Sequence, residues 1–512
     1  MTKRFISLLL ILPLLAFCST KHDTDNENNE NKNEEKPAIV YEGEREITVG
    51  SAAGSGTLTF TCNTDWTVES ADSWLTVSPE SGVASKEPAT ITYTYTQIDR
   101  KKDRSSEITI SGKGTGLWIS IVQKGDPMAG AAPELKDGDE VLATNRLVEK
   151  FLTEVSYPDK TYKDYTKIFD YYGGFDGTNF TWSNWGKEWP DGDIPEQYSI
   201  RWSENQLEKG KMQLHLEDKL GWEGNMDIDE GSLFVNITNL VPNDEYNYRV
   251  TAASGKVLAE GSFTTTGHLH QVYFHGDPQK PNTKGGGGRN ARDLGGWQTL
   301  DGKVIKYRLV YRGGRLNEKW TPYPLNAQGE KEVLFEGLGA ELDLRGNSDV
   351  MFTPAVEGLD HCAPVIEEGG KTMLTTYATQ TKECFEFVLN SVRAKKPIYF
   401  HCSLGRDRTG TLGILLMGIL GVPEGDISKE YELTYFAPVG YSVSSSDKTN
   451  NPTPTYKNTR KAWVYSDVTP YFWELAGDGT FASGVQKYLL SIGISQAQID
   501  EFRELMLEDS HE

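Results

Sequence analysis

Cysteine is scarce in this chain. It accounts for five of 512 residues, and the spacings form neither a disulfide framework nor a set of metal ligands. A stapled scaffold and a metal site are therefore not expected. Positive charge is in deficit too: 52 Lys and Arg face 74 Asp and Glu, a net charge of −22. That balance argues against nucleic acid or anionic lipid as a general partner, and it repels highly phosphorylated substrates unless a pocket is locally basic. Long apolar runs are also missing. The longest, residues 5–17, is too short to span a bilayer but suits a signal-peptide core behind Lys3 and Arg4.

What is present is concentrated in residues 401–410, which read HCSLGRDRTG. Cys402 and Arg408 bracket a loop able to hold a phosphate dianion. The pair alone means little, because Arg follows any Cys at this spacing roughly one time in twenty at average composition. The surroundings give it weight. Residues 397–400 (PIYF) form a short apolar run suited to a buried parallel strand. Residues 409–420 (TGTLGILLMGIL) are helix-compatible and end at Gly421, with Pro423 just beyond. Upstream, Phe385, Val388, Leu389 and Val392 fall on one face of an amphipathic helix. The loop is thus expected at the carboxyl end of a strand and the amino end of a helix. Unpaired N–H groups and the helix dipole converge on anions there.

The chemistry follows from the residue types. A helix N-terminus and a nearby cation stabilise a thiolate, which makes Cys402 a nucleophile toward phosphorus. Arg408 offers a planar fork for two phosphoryl oxygens. Backbone N–H groups of Ser403, Leu404, Gly405 and Arg406 would line the cradle, and Thr409 is placed to donate a hydrogen bond to the sulfur. No cofactor or metal is required.

This segment resembles the signature of the protein tyrosine phosphatase superfamily. Asp407 directly before the arginine makes it similar to the bacterial tyrosine/lipid phosphatase branch. NARDLGGW (290–297), YRGGRL (311–316), ELDLR (341–345) and YELTYF (431–436) match that branch too, so the resemblance covers about residues 271–507. It implies a cysteinyl-phosphate mechanism, with Asp407 as candidate general acid and His401, Arg292, Asp293, Asp343 and Arg345 in support. His401 orders the loop rather than acting as a base. Bracing the loop is the lesser alternative for Asp407, and Asp343 and Asp360 are reserve acids, with a salt bridge to Arg345 or Arg292 the alternative for Asp343. The chain departs from the branch at Arg406, where lysine is usual. Arg289, Arg292, Arg312, Arg315, Arg345 and Arg406 would form a basic patch if they surround one cavity.

Two motifs are set aside. Trp189-Pro190-Asp191 spells a mobile acid loop but lies over two hundred residues before Cys402, where a turn explains it. Gly285 to Gly288 lack the following Lys-Ser/Thr of a phosphate loop and read as a connector.

The front of the chain indicates where this chemistry takes place. Leu15-Ala16-Phe17-Cys18 resembles a lipobox, with Cys18 the lipidated residue of a signal peptide at 1–18. Residues 19–36 are an acidic tether without a core. Residues 37–126 alternate short strands with turns, a β-sandwich pattern, and the order Trp66, Trp74, Gly82, Arg104, Gln123 resembles a BACON domain. Such modules imply glycan or mucin contact, although a spacer role is the simpler reading and Trp66 and Trp74 suit a core. Residues 127–267 resemble a fibronectin type III region in their later strands, with a short helix around Leu147, Phe151 and Leu152. Residues 268–512 complete the chain as the phosphatase domain. The expected fold is multidomain: two all-β sandwiches, then an α/β domain whose central, mostly parallel sheet is flanked by helices.

The expected protein is exported and anchored by lipid in the outer membrane, on its periplasmic or cell-surface face. It acts on phosphotyrosine in proteins or on small phosphomonoesters, with no nucleic-acid partner. Inositol phosphates or phosphoinositides are the alternative substrates, and a non-catalytic surface binding protein is the alternative class.

Overall fold

The computed structural model describes residues 36–154, 192–276, 288–317, 325–437, 440–442, 453–455 and 463–510. Lys3, Arg4, Cys18, the Trp189-Pro190-Asp191 motif and Gly285 to Gly287 lie outside the described residues. The chain divides after Asp126 into two compact units. Among the described residues no helix is long and apolar enough to cross a membrane.

The first unit is built from strands whose side chains alternate between core and solvent. In Thr115–Gln123 the buried positions are Leu117, Ile119, Ile121 and Gln123, each separated by a more exposed residue, the period-2 signature of a sheet with one covered face. A four-stranded and a five-stranded sheet result. Leu58, Phe60 and Ile91 from one, and Val68, Ile108 and Ile119 from the other, join a single apolar cluster. Each such side chain contributes about 1.5–3 kcal/mol on burial. Trp66 lies in this cluster, edge-on to Phe60 with ring centroids 5.0 Å apart. Trp74 is half-buried under the Arg104 guanidinium, 4.2 Å from its ring centre.

The second unit holds residues 127–512 together. Its β-rich part contains a five-stranded and a two-stranded sheet. The helix Arg146–Glu154 buries Val148, Phe151 and Leu152, and all three enter the core of the α/β half beside Leu269, Leu294 and Ile305. The rings of Phe151 and Phe436 lie 5.5 Å apart.

The α/β half is organised on a six-stranded sheet. Its order is Gln271–Phe274, Gly288–Asp293, Val310–Gly313, Ile398–His401, Ala340–Asp343, Asp360–Cys362. The first two pairings are antiparallel and the remaining three parallel. The sheet is therefore mixed, with the antiparallel strands at the edge that enters from the β-rich part. Ile398–His401 sits inside, paired on both sides and buried at every position, which explains its uninterrupted apolar run. The helix Ala378–Arg393 presents Phe385, Val388, Leu389 and Val392 to the core. Arg408–Leu420 is almost wholly buried and stops where Gly421 adopts φ 89°, the left-handed cap that glycine tolerates.

A candidate active site at the strand-to-helix loop

The interior strand ends at His401 and the buried helix begins at Arg408. The six residues between must reverse direction in a short span. Gly405 allows this with φ 70°, and a Cβ there would collide with the Gly313 carbonyl. No other residue type fits the turn.

The loop is held by its carbonyls. Arg315 Nη1 donates to Ser403 O at 2.7 Å, Asn290 Nδ2 to Leu404 O at 3.0 Å and Arg312 Nη2 to Gly405 O at 2.9 Å. The Ser403 hydroxyl donates to Asp349. By contrast, the backbone N–H groups of Ser403, Leu404, Gly405 and Asp407 have no acceptor among the described residues. Carbonyls anchored and amides free make an anion-binding concavity at a helix N-terminus.

Cys402 lies at its base, only 2 % exposed. Burial raises its thiol pKa. Arg408 and hydrogen bonding from Thr409 outweigh that and, against the opposing charge of Asp407, bring it down to about 7 from 9.0. The Thr409 backbone N–H serves the sulfur. Its buried hydroxyl also acts on the sulfur to lower the pKa, though without a hydrogen bond of good geometry. Arg408 is braced through Nη1 to Ile366 O at 2.9 Å. Val365, just before, has φ 59°, a region costly for a β-branched residue, about 1–3 kcal/mol.

The supporting residues occupy distinct posts. His401 is fully buried, its Nε2 2.9 Å from Glu341 Oε1 and its Nδ1 3.4 Å from the Cys402 carbonyl. Asp343 accepts from Arg345 Nε and Nη2 at 2.8 and 2.7 Å, and from Met351 N–H at 2.9 Å. Burial opposes ionisation of Asp343, but His401 and Arg345 prevail and lower its pKa. A carboxyl so saturated holds the loop's neighbour strand and is a poor proton donor. Asp293 accepts from the Gly295 and Arg308 N–H groups and from His270, which fixes a turn. Asp360 pairs with Lys396 at the surface.

The arginines expected to form a basic patch are each engaged. Arg292 Nε and Arg312 Nη1 share the two oxygens of Glu430, at 2.7 and 2.6 Å. Burial depresses the Arg292 pKa to about 10 despite that carboxylate. Arg289 pairs with Asp193, Arg345 with Asp343, and Arg406 with Asp407 at 2.8 Å. Sequence reading missed Glu430, Asp349, Asn290 and Asp193. The first three stand in or near motifs it singled out, while nothing local marks Asp193. Two surface clefts of about 540 and 260 Å³ involve the β-rich part rather than Cys402, and the first is lined by mutually paired groups such as Arg249 and Glu260.

Comparisons with known proteins agree with this placement. Residues 284–508 match the tyrosine phosphatase family and residues 43–126 the viral BACON domain. A protein of Cupriavidus necator, provisionally named a tyrosine-protein phosphatase, is 25% identical over 166 residues, 28% of this chain and 59% of its own. A tyrosine-protein phosphatase of Nostoc commune is 25% identical over 131 residues, 23% of this chain and 42% of its own. The match therefore spans about half the length of these curated relatives. A xyloglucanase structure from Bacteroides ovatus covers 21% of this chain and 27% of its own at 18% identity, with a TM-score of 0.17, too low to bear on the site.

Proposed function

We propose that this chain is a cysteine-dependent phosphatase for phosphomonoesters. The observation that carries the reading is the loop itself: anchored carbonyls, free amides and a thiol pKa brought to about 7 at one point. The Cys402 thiolate attacks phosphorus, an S–P bond forms and the P–O bond to the leaving group breaks. Asp407 gives its proton to the departing oxygen. Although it pairs with Arg406, it is the carboxylate whose charge acts on the Cys402 sulfur, and its side chain is 28% exposed where that of Asp343 is wholly buried. Water then attacks the cysteinyl phosphate, surrenders a proton to Asp407 and releases phosphate with the thiolate regenerated. Arg408 and the loop amides carry the charge of both transition states.

The substrate we infer is a monophosphate such as phosphotyrosine. Polyphosphorylated inositols need spare cations around the loop, and Arg289, Arg292, Arg312, Arg345 and Arg406 are already matched by Asp193, Glu430, Asp343 and Asp407. Residues 1–36 are read as an export leader with a lipid-anchored tether, placing the site outside the cytoplasm. The BACON region serves as spacer or as glycan contact.

The test is hydrolysis by the reduced protein without added metal. Aryl phosphate and phosphotyrosine peptide are expected to turn over, and inositol hexakisphosphate to turn over poorly. Asp407→Asn is expected to slow an alkyl phosphate, whose leaving group needs the proton, far more than a nitrophenyl ester. Silence from folded, reduced protein toward every ester would sink the reading.

A second expectation concerns pH alone. Alkylation of Cys402 by iodoacetamide should rise through an inflection near pH 7, because only the thiolate reacts and its pKa lies at about 7 rather than 9.0. An inflection at or above pH 8.5, the ordinary free-thiol value, would remove the activated nucleophile.

A further inference from the structure

The phosphate loop is supported from outside the part of the chain that matches the phosphatase family. Asp193 belongs to the β-rich part, lies outside residues 284–508, and is 4 % exposed. Its carboxylate accepts from Arg289 Nε at 2.9 Å and Arg289 Nη2 at 2.5 Å. One of its oxygens also accepts the Asn290 backbone N–H at 2.8 Å. Asn290 is the residue whose side-chain amide holds the Leu404 carbonyl at 3.0 Å and reaches Thr434 Oγ1 at 3.3 Å.

Asn290 has φ 56°, a left-handed conformation that asparagine tolerates but does not prefer. Arg292 Nη1 grips the Asn290 carbonyl and side-chain oxygen from one side, at 3.1 and 2.6 Å. Asp193 grips its N–H from the other. The Arg289 carbonyl completes the frame by accepting from Gly314 N–H at 2.8 Å, where the Gly313-Gly314 backbone abuts Gly405.

We infer that Asp193 is a positioning residue of the phosphate loop: a buried carboxylate of the β-rich part that sets Asn290, and through it the Leu404 peptide, for phosphate binding. This rests on the phosphatase reading above. Asp193 touches neither the sulfur nor the substrate. Its effect is on where the loop amides point, and a small displacement of such groups lowers turnover steeply.

The test uses the full chain. Asp193→Asn keeps the shape but presents an NH₂ either to Arg289 Nη2 or to Arg289 Nε and the Asn290 N–H together, so at least one contact is lost whichever way the amide turns. Its kcat on aryl phosphate is expected to fall about tenfold or more with KM little changed, and the alkylation inflection of Cys402 to move to higher pH as the loop dipoles lose alignment. Asp218→Asn is the control. Asp218 pairs with Arg308 within the same unit and has no bond to the loop, so that variant should melt earlier yet keep kcat and the alkylation profile. Wild-type kcat and inflection in Asp193→Asn overturn the proposal, as does an equal kcat loss in Asp218→Asn. Should Asp193→Asn fail to fold, Asp193→Glu, which keeps the charge but moves it by one methylene, is read in the same two ways. Wild-type values in that variant also overturn it. If the wild-type protein hydrolyses no phosphomonoester, the phosphatase reading falls, and the alkylation comparison still decides whether Asp193 shapes the loop.

Discussion

Serine at position 402 is expected to stop turnover, with kcat falling by about 10⁴-fold or more, the scale of losing the nucleophile in a covalent hydrolase. The reason is acid strength as much as atom type. At neutral pH about half of the Cys402 thiol is ionised at a pKa of about 7, whereas a serine hydroxyl in the same loop is not ionised at all. The loop amides and Arg408 are untouched by the change, so Cys402→Ser should still bind phosphate or vanadate. The measurement is rapid quench followed by intact mass: wild type carries a transient phosphoryl adduct and Cys402→Ser carries none. Turnover by Cys402→Ser within tenfold of wild type would show that phosphorus is attacked by something else, and the thiolate reading would go with it.

Glu430→Gln is expected to produce the largest loss of stability. One carboxylate serves two buried cations, Arg292 and Arg312, at 2.7 and 2.6 Å, and all three side chains are at most 3 % exposed. Removing the charge takes from two guanidinium groups in a low-dielectric interior the carboxylate they share. Breaking one buried pair this way costs about 3–5 kcal/mol. Denaturant unfolding followed on the second unit should show a loss of at least that size. Activity should suffer in whatever folds, because Arg312 also carries the Gly405 carbonyl. A change below about 1 kcal/mol would mean that water or another group already neutralises these arginines.

The contrast between these residues shows what a linear reading can reach. Cys402, Gly405 and Arg408 stand within seven positions, flanked by a strand and a helix whose patterns are local. The sequence of Ile398–His401 is apolar because it is an interior strand, and Gly421 stops the helix by its own backbone freedom. Such features are set by neighbours along the chain. Glu430 is different. Its importance comes from two arginines on adjacent strands, Gly288–Asp293 and Val310–Gly313, and its place just before YELTYF does not announce it. The arginines were visible as a group, but two of their carboxylate partners come from elsewhere in the chain, Asp193 from the β-rich part and Glu430 from a helix, while Asp343 and Asp407 stand beside Arg345 and Arg406 in sequence. A cluster of like charge in sequence therefore looked like a binding surface when most of it is counter-charge for the interior. The mixed character of the sheet was hidden for a similar reason. Gln271–Phe274 and Gly288–Asp293 run antiparallel because the chain enters from the β-rich part, a matter of topology rather than of residue type.

The break after Asp126 has a practical meaning for anyone who would graft the α/β half onto another carrier. Family resemblance begins at residue 284, yet a cut there would sever Asp193 from Arg289 and Asn290, Phe151 from Phe436, and Asp218 from Arg308. Recombination is tolerated where few interactions cross the junction. By that criterion the portable piece starts at Pro127, and the β-rich stretch travels with the chemistry as part of its chassis.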